Sequence, residues 1–166
     1  SSTTNRGSSS ISSPNSILVE SNYRCIELNF FGMGNNYIDK IAFLFIKDKK
    51  ILVTLSRGKD TWYLPGGKRE TGEADKETLI REVKEELNID IKPKTIKYYG
   101  IFKAQAHGKP LGVIVQMTCY MADFDGKIKP GNEIEKVDFF TFDTEQSLSP
   151  VDYLILADLK KKNLID

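Results

Sequence analysis

Residues 67–89 read GKRETGEADKETLIREVKEELNI, and this stretch decides the fold. Apolar side chains recur from Leu79 through Val83 to Leu87 at the spacing that places them on one side of a helix. The pattern therefore predicts an amphipathic helix over Glu73–Leu87. The question that follows is why this helix carries so many glutamates.

Glu82, Glu85 and Glu86 fall within an arc of about 100° that flanks the apolar stripe of the helix. They are neighbours of like charge at i,i+3 and i,i+4, so they repel one another. A solvated acidic face with pairs such as Glu77–Arg81 is the ordinary explanation. A divalent cation would instead remove the repulsion, and carboxylates without His or Cys favour Mg²⁺ or Mn²⁺. The helix alone leaves both interpretations open.

The loop before the helix contains adjacent glycines, in the run Trp62-Tyr63-Leu64-Pro65-Gly66-Gly67. Glycine lets the backbone turn tightly and approach a ligand closely. A plain turn is the simpler alternative for Gly66 and Gly67.

Together, the loop and the helix resemble the Nudix box, the signature of the Nudix hydrolase family. The box is Gly, five residues, Glu, seven residues, then Arg-Glu-aliphatic-any-Glu-Glu-any-Gly-aliphatic. The matching positions are Gly67, Glu73, Arg81, Glu82, Val83, Glu85, Glu86 and Ile89. Asn88 stands where the family has Gly. Asn is the next most tolerant residue of a left-handed conformation, so we expect a small loss of stability and no loss of chemistry.

The resemblance implies an α/β fold of the Nudix type, an α/β/α sandwich with a mixed sheet, over residues 17–166. It implies that the carbonyl of Gly66 and the carboxylates of Glu82, Glu85 and Glu86 bind catalytic Mg²⁺ or Mn²⁺. Arg81, also a candidate catalytic residue, resembles the arginine that orients such a carboxylate, with Glu73 as its partner.

The resemblance also implies an activity, the hydrolysis of a diphosphate linkage in a nucleotide. By this resemblance, bound metal ions would lower the pKa of the attacking water and a carboxylate of the chain would take its proton. Glu85 or Glu86 are candidates for this base, as is a later loop glutamate, Glu133, with Glu135 as the alternative. The competing hypothesis is a Nudix-fold module that binds or senses a nucleotide without turnover.

Candidates for substrate binding are Arg57, Trp62, Tyr63 and Lys103. Packing of the aromatic residues in the core and solvation of the basic ones are the alternatives. His107 lies in a loop bounded by Gly and Pro, where it could line the mouth of a pocket. Accessory motifs for NADH, coenzyme A and ADP-ribose are not visible, so we expect a nucleoside triphosphate, including oxidised ones, or a related nucleotide. The 5′ end of RNA stays open as a substrate.

The remaining elements fit a mixed sheet between two helices. Alternating or β-branched runs predict strands on both sides of the box helix, and Asp48-Lys49 predicts a tight hairpin. The predicted strands are Tyr23–Phe31, Tyr37–Lys47, Lys50–Ser56, Lys94–Lys103, Val113–Phe124 and Ile134–Phe142, and the closing helix is Pro150–Lys162.

Composition indicates one domain after a Ser-rich tail at residues 1–16, which we expect to be disordered. With 24 basic and 23 acidic residues the net charge is +1, which argues against a general polyanion binder. We expect no added DNA-binding domain of the regulator type, because the sequence has no room for one beside the Nudix domain. We interpret Cys25 and Cys119 as reduced core thiols. We expect neither a membrane span nor a secretory signal, which predicts a cytoplasmic protein; a homodimer is possible.

Overall fold

A computed structural model describes residues 37–166, and the backbone of two strands before them, β1 (Ser16–Ser21) and β2 (Arg24–Asn29). These two strands form an antiparallel hairpin. The chain divides into two units between residues 34 and 35, so this hairpin is described by itself. The strand predicted over Tyr23–Phe31 is confirmed from Arg24 to Asn29, and its end residues lie outside the described residues.

β1 was not predicted as a strand. The tail predicted at residues 1–16 lies outside the described residues except for Ser16, the first residue of β1.

The second unit contains strands on both sides of a central helix and a helix near its end. The order is β3 (Tyr37–Phe43), β4 (Ile46–Lys47), β5 (Lys50–Ser56), β6 (Trp62–Tyr63), β7 (Gly66–Lys68), α1 (Asp75–Leu87), β8 (Asp90–Ile91), a 3-10 helix (Pro93–Thr95), β9 (Lys97–Gln105), β10 (Ile114–Met121), β11 (Phe124–Asp125), β12 (Ile134–Phe140) and α2 (Pro150–Lys161).

Two sheets organise this unit. The first has the order β7-β3-β10-β9, in which β3 and β10 run parallel and the other neighbours antiparallel. The second has the order β12-β5-β4, with β6 also paired to β5, and is antiparallel throughout. The short strands β8 and β11 pair separately. The predicted mixed sheet is therefore present.

Strand β3 contributes to two cores because its successive side chains point to opposite faces. Ile41 and Phe43 pack with the buried side of α1, including Leu79, Val83 and Leu87. Ala42 belongs to the opposite core, with the buried residues of α2, which are Val151, Ile155, Leu156 and Leu159. Helices thus cover both faces of the strands, and the predicted α/β/α sandwich is confirmed.

Local sequence explains several boundaries. The hairpin at Asp48-Lys49 is confirmed, because both residues have positive φ, 52° and 58°, as a tight two-residue turn requires. Helix α1 begins at Asp75, slightly after the predicted Glu73, and the Glu77 side chain accepts a hydrogen bond from the Ala74 amide just before it.

The short strands β6, β7, β8 and β11 have two or three residues each, too few for alternation to be visible in the sequence. Cys119 is a free, fully buried thiol in the α2-side core. No helix among the described residues is long and apolar enough to cross a membrane.

Candidate active site

A glycine elbow places the end of helix α1 against strand β7. Gly66 has φ +141°, and a Cβ there would overlap the carbonyl oxygen of Ile41 in the neighbouring strand β3. Its amide donates a hydrogen bond to Glu86 Oε2 at 3.1 Å. Only glycine permits this approach, so the elbow and the Glu86 carboxylate form one unit.

Glu86 is an acidic side chain in a place that disfavours its charge. It is only 7% exposed. Burial, followed by the charges of Glu82 and Glu133, raises its pKa to about 8, against the opposing effects of the Gly66 amide and Lys40. A buried carboxylate without a cationic partner is costly, and a bound cation would compensate it.

Glu82 lies against the second glycine of the elbow. Its carboxylate occupies the space that a Cβ on Gly67 would need. It accepts a hydrogen bond from Arg81 Nη1 at 2.8 Å. Burial nevertheless raises its pKa, and the charges of Glu85 and Glu133 act in the same direction. Glu82, like Glu86, thus lies where negative charge accumulates.

Arg81, in the middle of α1, forms a two-point ion pair with Glu73, which lies just before the helix. Arg81 Nε and Nη2 each lie 2.8 Å from a different oxygen of Glu73. Glu73 also accepts from the Glu70 amide at 2.8 Å and from Thr78 Oγ1 at 3.2 Å. These bonds, the Arg81 one foremost, lower its pKa to about 2. Arg81 further donates to the Lys68 carbonyl, which ties the loop before α1 to the helix.

Glu85 is the most exposed of the three helix glutamates in the box, with 43% of its side chain accessible. Its carboxylate lies 3.6 Å from Arg81 Nη1. Arg81 therefore contacts Glu73, Glu82 and Glu85 at once, as expected of a residue that orients several carboxylates.

The loop that carries Glu133 is fastened to the end of α1. The amides of Lys129 and Gly131 donate to the carbonyls of Leu87 and Glu86, both at 2.9 Å. Asn88, at φ 56°, donates from its side chain to the Lys129 carbonyl at 2.8 Å. This docking brings the charge of Glu133 close enough to raise the pKa of both Glu82 and Glu86.

Arg57 holds the same loop from its other side. Its amide donates to the Glu133 carbonyl at 2.8 Å and its Nη2 to the Asn132 carbonyl at 3.1 Å. The substrate-binding candidate Arg57 thus contacts the loop that presents Glu133. Glu135, the alternative base, lies in β12 with its side chain exposed.

In the described part of the chain, no three His, Cys, Asp or Glu side chains already converge on one point as metal ligands. Glu82 and Glu85 instead face Arg81. The group still suits a hard divalent cation, because its donors are carboxylates and Glu86 is buried with no salt bridge. If the carboxylates of Glu82 and Glu85 turned away from Arg81, they could bind such a cation together with Glu86.

A cavity of about 170 Å³ adjoins this site, between the first sheet and the start of α2. Tyr63 and His107 line it, with ring centroids 6.2 Å apart, and His107 Nε2 lies 3.3 Å from Thr61 Oγ1. Of the four substrate-binding candidates only Tyr63 lines the cavity. Trp62 is buried against Phe140 at 4.9 Å between centroids, and Lys103 Nζ lies 5.9 Å from the Tyr37 ring.

Sequence reasoning missed several residues at this cavity. Lys40 and Lys68 line it, as do Gln105 and Ser149. For Lys40 a signal existed, because it alternates with Ile38 and Ala42 on a strand whose other members face a core. A polar residue at such a position is unusual.

Asp152 is a second buried acid near the cavity that the sequence did not identify. It is fully buried at the start of α2, where its Oδ2 accepts from Ser149 Oγ at 2.7 Å and from the Leu64 amide at 3.3 Å. Burial raises its pKa to about 6. Its Oδ1 has no hydrogen-bond partner among the described residues.

Comparison with known proteins identifies a matching family and several relatives. The NUDIX domain family matches residues 39–159. An ADP-ribose pyrophosphatase from Methanocaldococcus jannaschii is 30% identical over 97 residues, 57% of this chain and 56% of that protein. An 8-oxo-dGDP phosphatase from Homo sapiens is 37% identical over 62 residues, 36% of this chain and 19% of that protein. The chain thus spans about half or less of the length of these curated relatives.

A solved structure resembles the fold over most of the chain. The MutT NUDIX hydrolase from Burkholderia pseudomallei aligns with a TM-score of 0.62 at 22% identity, covering 73% of this chain and 96% of that chain. At this level of identity the likeness shows the shared fold.

Proposed function

Because the chain belongs to the NUDIX domain family, we propose that it is a metal-dependent hydrolase that cleaves a diphosphate linkage in a nucleoside diphosphate derivative. One observation carries the proposal. Glu86, buried and without a salt bridge, lies against the Gly66 elbow within the field of Glu82 and Glu133. Such a cluster destabilises a fold when Glu86 is ionised, and a bound cation would offset this cost.

Nudix hydrolases depend on divalent metal ions, and for this chain we propose Mg²⁺ or Mn²⁺. A bound ion would neutralise the phosphates and lower the pKa of a bound water. The carboxylates of Glu82, Glu85 and Glu86 and the carbonyl of Gly66 would hold it. Arg81, kept in place by Glu73, would orient those carboxylates from outside the ligand set.

Glu133 is our candidate for the general base that takes the water proton. Its loop is hydrogen-bonded to the end of α1, so the side chain is presented toward the helix glutamates while still reaching solvent. We expect Glu133→Gln to reduce kcat by about 10²–10⁴-fold, as loss of a general base does. Glu135→Gln, the matched control two residues along, should keep nearly full activity. Equal losses in both variants would remove Glu133 from this role.

The substrate class has two candidates. The sequence favours a nucleoside triphosphate or a related nucleotide, because accessory motifs for ADP-ribose are not visible. The Methanocaldococcus jannaschii relative favours ADP-ribose. Both contain the diphosphate linkage that the proposed chemistry requires.

A substrate panel tests the activity and separates these candidates. The purified chain is incubated with Mg²⁺ or Mn²⁺ and with common and oxidised nucleoside triphosphates and diphosphates, ADP-ribose and 5′-triphosphorylated RNA, and products are resolved by anion-exchange chromatography. We expect cleavage of a diphosphate bond in at least one class, lost in EDTA and in Glu86→Gln. Glu77→Gln is the matched control, because Glu77 is an exposed glutamate on the same helix.

The alternative function is binding without turnover. Nucleotide binding with no product from any substrate, in either metal, would support a sensing module and overturn the hydrolase. Turnover that Glu86→Gln retains in full would overturn the assigned site.

A further inference from the structure

The loop that presents Glu133 is held on two sides. On one side it lies against the end of α1, so closely that a Cβ on Gly131 would overlap the Glu85 carbonyl oxygen. On the other side it continues into β12, which pairs with β5 and places Ile134 opposite Ser56. The position of the Glu133 carboxylate therefore depends on how the loop is fixed between the helix and β5.

Arg57, the residue that follows β5, binds this loop through its backbone and its side chain. Its amide donates to the Glu133 carbonyl at 2.8 Å, which adds one hydrogen bond to the end of the β5–β12 pairing. Its Nη2 donates to the Asn132 carbonyl at 3.1 Å. Because Arg57 is exposed, water screens this second contact, and it contributes little to the stability of the fold. Its contribution lies in where it holds the loop.

The backbone around Glu133 is irregular on both sides. Asn132 has a positive φ of 49°, a conformation that is uncommon for residues other than glycine. Just after Glu133 the pairing of β12 with β5 shifts register, because Glu135 is an extra residue in β12. Such a bulge interrupts the regular ladder and changes the direction of neighbouring side chains. Regular strand pairing therefore does not by itself fix the direction of Glu133.

Substrate binding is the alternative role for Arg57. Within residues 37–166 its side chain forms no salt bridge, so its charge is available to a phosphate. The contact that it makes, however, is with the loop. Among the described residues the other side chain that donates to this loop is Asn88, which binds the Lys129 carbonyl, further from Glu133. Arg57 is thus the side chain that holds the loop directly beside Glu133.

We propose that Arg57 is a positioning residue, which holds the loop at Asn132 so that the Glu133 carboxylate stays directed toward the helix glutamates. The inference rests on the proposed function, because Glu133 is the proposed general base. It assigns Arg57 an action through another residue in place of the substrate binding that the sequence suggested. Arg57 would then touch neither the substrate nor the metal.

Steady-state kinetics of Arg57→Ala test this role. We expect kcat to fall about 10–100-fold, because a displaced catalytic group loses its geometry, while KM changes by less than about twofold. Arg57→Lys, which can still donate to the Asn132 carbonyl, should recover part of kcat. Lys59→Ala is the matched control, because Lys59 is an exposed basic residue in the same turn. It should keep the kcat of the wild type.

A double-variant cycle separates an action through Glu133 from any other role. Adding Arg57→Ala to Glu133→Gln should lower kcat by less than about a further twofold, since the group that Arg57 positions is already absent. A further loss as large as that of Arg57→Ala alone would overturn the inference. So would a rise in KM at constant kcat in Arg57→Ala, the result expected of a side chain that binds a substrate phosphate.

The outcomes separate this inference from the hydrolase assignment. Hydrolysis by the wild type with additive losses in the double variant, or with full activity in Glu133→Gln, refutes the role of Arg57 and leaves the hydrolase standing. The absence of turnover on every substrate refutes both. Circular dichroism establishes that each variant is folded. Should Arg57→Ala not fold, Arg57→Met replaces it with the same expected results, because methionine keeps the aliphatic length and has no donor.

Discussion

Glu73 lies just before α1 and Glu86 in its last turn, and the two carboxylates have opposite electrostatic environments. Glu73, ahead of α1, accepts four hydrogen bonds, two of them from Arg81, and its pKa falls to about 2. Glu86, in the last turn of α1, is buried with one amide donor, and its pKa rises to about 8. The ionised Glu73 carboxylate stabilises the fold, whereas the ionised Glu86 carboxylate destabilises it.

The contrast shows how to separate support from function within one motif. A carboxylate whose charge the protein already compensates has no need of a ligand. A carboxylate that is buried near other carboxylates and forms no salt bridge is costly to ionise, and a bound cation would offset that cost. This criterion supports our proposal that Glu86 is a metal ligand and that the Arg81–Glu73 pair supports it.

The largest expected effect is a gain in the free energy of unfolding when Glu86 is replaced in the metal-free protein. Its ordinary pKa is 4.5 and its folded-state pKa about 8, so the metal-free protein should lose stability as pH rises between these values. In EDTA at pH 8 we expect Glu86→Gln to be more stable than the wild type, by on the order of 3 kcal/mol in the free energy of unfolding. Urea denaturation from pH 4.5 to 8 measures this.

Metal should reverse that difference. Mn²⁺ should raise the Tm of the wild type at pH 8, because it binds the folded state, and should raise that of Glu86→Gln much less. Glu77→Gln should follow the wild type throughout. A Glu86→Gln variant less stable than the wild type at pH 8 in EDTA would break the comparison.

Glu73 should respond in the opposite direction. Its folded-state pKa lies below 4.5, so the stability it contributes is present above pH 4.5 and disappears as pH falls toward 2. We expect Glu73→Gln to unfold more easily than the wild type at pH 7 and to converge with it in acid. Since Arg81 would lose its support, activity should fall about 10–100-fold.

Glu70→Gln is the control for that variant. Glu70 is exposed, and its carboxylate makes only a long contact with Arg81, 3.9 Å from Oε1 to Nη1. Glu70→Gln should change stability and activity little. An activity loss as large as that of Glu73→Gln would mean that charge around Arg81, and not its two-point anchor, is what matters.

The smallest expected effect lies at the end of the helix, where Asn88 replaces the usual glycine. Asn88→Gly would relieve a left-handed φ of 56° but would lose the side-chain bond to the Lys129 carbonyl. The two terms oppose each other, so the free energy of unfolding should change by less than about 1 kcal/mol and activity should be unchanged. The free energy of unfolding of Asn88→Ala should be about 1–2 kcal/mol lower than that of Asn88→Gly, because alanine keeps the strain of the left-handed conformation and also loses the side-chain bond.

The sequence by itself determined the family, the fold class and the helix that carries the glutamates. The reason is that these depend on local spacing: apolar residues every three to four positions, glycines before the helix, and strands long enough to alternate. Lys50–Ser56 was predicted with the bounds that the structure shows, and the hairpin at Asp48-Lys49 follows from its turn residues.

Only the tertiary structure decided how the glutamates of the motif differ in pKa and burial. In the sequence motif Glu73 and Glu86 are both simply glutamates. In the structure Arg81 forms an ion pair with Glu73, whereas Glu86 is buried against the Gly66 elbow. Likewise, Lys40 meets Lys68 only through the pairing of β3 with β7, and Trp62 turns into the core while Tyr63 lines the cavity. Burial and long-range contacts set these properties, and neither is encoded in the spacing of neighbouring residues.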